Sequence, residues 1–163
     1  MDRATQTIQL LESSLREQGL QTAFDDSVPD RPGMRTLIPL AQDGTHLVRV
    51  ELHYVPCGEL FDILQLYTTV IEDLDEPGMR ELRKAVEVWN FSVFLGSMAV
   101  REDERQLFHR YCLALSGKLS AEECAVVGES VLTSVLRSIS PFYEDALDLA
   151  NGVTFEELED ASS

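Results

Sequence analysis

The sequence predicts an α+β fold: an N-terminal helix, an antiparallel sheet of about five strands, a middle helix and a long C-terminal helix packed on the sheet. Three observations carry this expectation. Apolar residues recur with a period of two in "HLVRVELHYV" and again in "RQLFHRYCLAL". They switch to helical spacing in "MRELRKAVEVWN" and after "LSAEEC". The strand-like segments are grouped rather than alternating one for one with helices, which separates α+β from a parallel α/β sheet.

Taken in order, Ile8, Leu11 and Leu15 form one stripe with Gln, Glu and Arg between them, an amphipathic helix closed by Gly19. "LQTAF" is compatible with a short strand, and "DDSVPDRPG" gathers the residue types of a loop. "MRTLIPL" is strand-like, with Pro39 restricting it to a sheet edge or a strand end. Asp43-Gly44 predicts a hairpin turn. In the strand that follows, Val48, Val50, Leu52 and Tyr54 take one face, and Arg49, Glu51 and His53 the other. "LFDILQLYTTVIED" is a further strand rich in β-branched and aromatic residues.

Pro77, behind Asp75 and Glu76, fits a first helical turn, and Leu82, Ala85, Val86 and Trp89 make the buried stripe of that helix up to Asn90. "FSVFLGSMAV" predicts a strand, "REDE" a charged turn, and the return strand places Leu107, His109, Tyr111, Leu113 and Leu115 opposite Phe108, Arg110, Cys112 and Ala114. Ser120 with Glu123 is a capping box for the last long helix. Pro141 kinks it or restarts it after Ser140, and Asn151-Gly152 stops it. Residues 1–152 are expected to form one α+β domain, and 153–163 an acidic tail with one short helical turn capped by Thr154 and Glu157.

The chain has 163 residues, enough to bury a sizeable core, with 44% hydrophobic and 26% charged residues. A formal net charge of -16 opposes nucleic acid and anionic membrane surfaces, which both select clustered Lys and Arg. No segment has the apolar length of a membrane helix or the pattern of a signal peptide, so the expected location is cytoplasmic. Cys57, Cys112 and Cys124 are odd in number and widely spaced, which fits reduced thiols.

No nucleotide-binding, nucleophile-elbow or zinc-protease motif occurs in the sequence. Asp25, Asp26 and Asp30 lack the spacing and central glycine of a calcium loop, and read as turn residues. His46 and His53 differ by an odd step on one strand, so with Cys57 they do not converge on a metal. Cys112 points away from His109 and has no orienting third group, so it reads as a small buried or half-buried side chain. Trp89 reads as core. Glu72, Asp73, Asp75 and Glu76 are accounted for by a helix N-terminus, which favours carboxylates. No catalytic residue, cofactor or metal ligand is assigned.

The segments from "VRVELHYVP" through "LYTTVIED", "MRELRKAVEVWN", "FSVFLGSMAV" and "QLFHRYCLAL" to "LSAEECAVVGESVLTSVLRSISPFYEDAL" together resemble the YbjN-like family. The most telling element is a helix ending in Trp89-Asn90, followed by strand, charged turn, strand, an "LS.E" start and a long helix ending in an aromatic residue. The resemblance implies a type III secretion chaperone-like fold and a non-enzymatic, regulatory or chaperone-like role, with no catalytic residues to transfer. It also implies a small acidic protein, often dimeric, that binds a partner polypeptide. The expected function is therefore a protein-binding module, with a homodimer as its expected state. Candidate partner-binding residues are Leu64, Leu66 and Val70 on one strand face, with Phe91 and Phe94 near the hairpin; core packing is the competing role for all five. A small-ligand sensor domain and an enzyme of unrecognised type are the alternatives.

Overall fold

A computed structural model describes residues 1–40 and 46–162. The expected turn at Asp43-Gly44 lies outside the described residues. Helix α1 (Arg3–Glu17) begins at the Asp2 side chain, which accepts the Thr5 N–H, and ends where Gly19 takes φ +87. Six strands follow: β1 (Gln21–Asp25), β2 (Gly33–Pro39), β3 (Leu47–Pro56), β4 (Phe61–Ile71), β5 (Ser97–Arg101) and β6 (Gln106–Ser116). They form one fully antiparallel sheet in the order β1-β2-β3-β4-β6-β5. The sixth strand beyond the expected five is the short "LQTAF" segment. Pro39 closes β2, where the ladder has no further need of its missing N–H.

Helix α2 (Glu76–Trp89) separates β4 from β5; α3 (Ala121–Ile139), α4 (Tyr143–Ala150) and α5 (Phe155–Ala161) follow β6. The capping box of Ser120 and Glu123 starts α3. A single 3₁₀ turn at Ser140–Phe142 lets Pro141 sit between α3 and α4, so the helix restarts rather than bends. Within the expected acidic tail, α5 has its own capping box, Thr154 with Glu157, and packs on α2.

Alternation along the strands divides the sheet into two faces. Met34, Val48, Val50, Leu52, Tyr54, Leu64, Leu66, Leu107 and Leu115 point to the helix side and are fully or almost fully buried. Helix α1 lies over β1, β2 and β3, and α3 packs beside α1. The two helices meet the sheet at Gly128, where an added Cβ would come within 2.9 Å of Leu11 and 3.1 Å of Leu64. On the other face Arg35 pairs with Asp25 and Glu51, and Arg49 with Glu72. Two arginines there sit over aromatic rings, Arg101 on Phe108 and Arg110 on Tyr67. Among the described residues no helix lies on this face.

The expected strand over 91–100 is corrected at its start. Residues 91–96 are a loop, and β5 begins only at Ser97. The reason is local: the Asn90 side chain bonds both the N–H and the C=O of Met98, at 2.8 and 2.9 Å. It thereby occupies the outer edge of β5 and fixes the distance at which the chain rejoins the sheet.

Candidate functional site

The five candidate residues separate into two groups. Leu64 and Leu66 have no accessible surface and Val70 retains 5%. All three lie on the helix-facing phase of β4 and are core, which corrects their reading as partner contacts: the helices cover that face. Phe91 is 94% exposed and Phe94 69%, with Val88 half-exposed beside them at the end of α2. Phe91 is the most exposed large apolar side chain among the described residues.

The loop that carries these rings is anchored on every side. Ser92 and Val93 both donate to Trp89 O, at 2.7 and 2.9 Å. Val93 is buried, and the Leu95 N–H reaches the Ser138 hydroxyl at 3.4 Å. Leu95 O accepts from His109 Nε2 at 2.6 Å. Gly96 then turns with φ +74 against His109. Phe91 and Phe94 are held out by a backbone that is fixed beneath them. Trp89, expected as core, is buried and stacks at a tilt on Phe142.

At the opposite edge of the sheet a groove of about 800 Å³ opens between the start of α1, the β1–β2 loop and the β3–β4 turn. Its floor is a polar cluster that the sequence reading missed. Asp62, buried on β4, accepts from Tyr54 Oη at 2.6 Å, from the Cys57 N–H at 3.0 Å and from the Arg3 guanidinium. Arg3 also donates to the carbonyls of Gly117 and Leu119, at 2.7 and 2.9 Å, tying the start of α1 to the β6–α3 connection. Burial alone would raise the Asp62 carboxyl, but the donors Tyr54, Arg3 and Cys57 outweigh it and hold its pKa below the ordinary value. Burial, with the Asp62 hydrogen bond, pushes the Tyr54 phenol up, and burial pushes the neighbouring Cys124 thiol up. A signal for this cluster was present: Asp62 and Tyr54 fall on the buried phase of their strands, and a buried carboxylate demands partners.

The remaining sequence candidates do not converge. His46 stacks against Tyr143, while His53 lies on the open face of β3 and Cys57 in the exposed β3–β4 turn. No group of three or more His, Cys, Asp or Glu side chains is placed to hold a metal ion among the described residues. Asp25 accepts the Ser27 N–H and pairs with Arg35, an ordinary loop role. Asp75 caps α2 through the Gly78 N–H at 2.7 Å, and Glu72 pairs with Arg49. Cys112, expected to be buried or half-buried, is exposed on the open face, which no helix covers among the described residues. His109 is completely buried with Nδ1 unpartnered, and burial lowers its pKa. No helix among the described residues is long and apolar enough to cross a membrane. No family model matches the chain, and no curated protein matches it.

Proposed function

We propose that this chain is a non-enzymatic polypeptide-binding module, regulatory or chaperone-like, that takes a partner on the Phe91–Phe94 apex. The carrying observation is the exposure of two aromatic rings on a loop whose backbone is pinned by Trp89, Ser138 and His109. Such rings bind without first being ordered, so little conformational entropy is lost on association. Each phenylalanine taken from water contributes roughly 1.5–3 kcal/mol, enough to anchor an interface.

The titratable groups nearest the large groove support a role without catalysis. Asp62 is held ionised and Tyr54 protonated around neutral pH, so neither is poised to exchange a proton. The resemblance to YbjN-like proteins, the chaperone-like architecture and a cytoplasmic location belong to the same proposal, as does a homodimer.

The test is an affinity capture from lysate of the protein's own source, comparing the unaltered chain with a Phe91→Ser, Phe94→Ser bait. One dominant protein, lost with the altered bait and rebinding as a purified component with at least tenfold tighter affinity for the unaltered chain, is the expected result. A partner retained equally by both baits would overturn the assignment of the apex. Light scattering across micromolar concentrations tests the dimer, and a monomer mass throughout removes it from the proposal.

A further inference from the structure

The groove at the other edge of the sheet has a chemistry of its own. Its walls are apolar and stiff: Phe24, Val28, Pro29, Pro32 and Pro56. Its rim carries Asp2, Asp26 and Asp30, with Asp62 in the floor. Arg3 is the cation lining the groove, and Asp62 with two backbone carbonyls already engages it. Asp2 is committed to capping α1 but keeps its negative charge, since the Thr5 N–H lowers its pKa. Asp26 and Asp30 are both exposed, and neither meets a cation among the described residues. The groove thus offers apolar walls below and, at Asp26 and Asp30, carboxylates without a cation partner above, while Asp2 also feels the N-terminal ammonium.

We propose that this groove docks a basic segment of a polypeptide, one in which Lys or Arg lies between apolar residues. Charge complementarity selects the occupant. Lysine and arginine have apolar stems that lie along walls such as Val28 and Pro29, and charged heads that stay near a wet acidic rim. An acidic peptide, a phosphate backbone or an anionic headgroup is repelled by the same carboxylates. A volume of about 800 Å³ is at the upper end of small-molecule sites, which leaves room for a chain segment. The site is separate from Phe91 and Phe94, at the far edge of the sheet, and takes only the class of occupant from the polypeptide-binding reading.

The test uses the full chain and fluorescence anisotropy. The probe is a short fluorescein-labelled peptide in which arginine and lysine alternate with leucine, and the control carries glutamate in place of the basic residues. The variants are Asp26→Asn with Asp30→Asn, in an exposed loop where asparagine keeps the side-chain shape and tolerates the φ of +60 at Asp30, and Phe91→Ser with Phe94→Ser. The expected result is binding of the basic peptide alone, weakened about five- to tenfold by the aspartate pair and by added salt, and unchanged by the phenylalanine pair. Equal binding of the acidic control, no binding of the basic peptide, or unchanged affinity in the aspartate variant would overturn the groove assignment. Loss only in the phenylalanine variant would overturn it too, while leaving the apex reading intact. Spermidine displacing the peptide at equal concentration would make the occupant a small organic cation. A dimer dissolved by the aspartate changes would make it a second copy. Either would overturn the polypeptide assignment.

Discussion

Gly96 is where a single side chain would do most damage. Its φ of +74 is costly for any residue with a Cβ. An added Cβ would also lie 2.3 Å from Arg110 O and 2.7 Å from the His109 ring, both fixed in the sheet. Gly96→Ala is therefore expected to cost about 2–3 kcal/mol in urea unfolding, from strain and overpacking together. His109 next to it makes stability depend on pH. Burial holds its folded pKa below 6.5, so the stability it contributes is full above about pH 6.5 and falls as pH drops toward that lowered value. The slope it adds reaches at most about 1.4 kcal/mol per pH unit, one proton's worth. His109→Gln, which can still donate toward Leu95 O, is expected to flatten the stability curve below pH 6.5; an unchanged slope would mean that His109 does not carry it. The position of His109 on the buried phase of its strand was legible from alternation. Its bond to Leu95 was not, because it depends on where a loop without periodicity turns back.

At the scale of an element, α5 illustrates the limit of local signals. Thr154 and Glu157 announce a helix start, and the capping box forms. What keeps α5 in place lies far away in sequence. Glu81 of α2 accepts the Phe155 N–H at 3.1 Å and both Lys84 contacts at 2.9 and 3.0 Å. Those donors, the Phe155 N–H first, then Lys84 and Arg80, hold the Glu81 carboxyl down to about 2. Because the folded pKa is depressed, this anchorage is complete above about pH 4.5 and is lost as pH falls toward 2. Trp89, the chain's single tryptophan, lines the same pocket as Phe155 and Leu158 and so reports on it. Its fluorescence is expected to change between pH 4.5 and 2. In Glu81→Gln, which keeps the shape but loses the charge, the change is expected already at pH 6. A variant ending at Val153 should lack the transition altogether; if it persists there, Trp89 is reporting global acid unfolding and not α5.

Across the whole molecule, the sequence specifies one layered sheet with great redundancy and its uncovered surfaces hardly at all. Period-two strands predict two faces, and the apolar face of β4 read first as a core face, with a binding face as the other reading. The choice rests on where α1 and α3 land, which is a matter of long-range packing such as the close approach of Gly128 to Leu11 and Leu64. Phe91 and Phe94 had the opposite ambiguity: their odd spacing in a regular strand would have turned one of them inward, whereas the loop at 91–96, ahead of the Asn90 clamp on Met98, leaves both in water. The distinction has a direct measure. Leu64→Asp places a charge at a position with no accessible surface and is expected to cost more than about 4 kcal/mol, leaving the chain largely unfolded. Phe91→Ser with Phe94→Ser removes a larger apolar area but only from solvent, and is expected to move stability by less than about 0.5 kcal/mol per site. Urea unfolding followed by circular dichroism separates the two. A phenylalanine pair as damaging as Leu64→Asp would mean that those rings pack in solution, and the apex would then lose its claim to a partner.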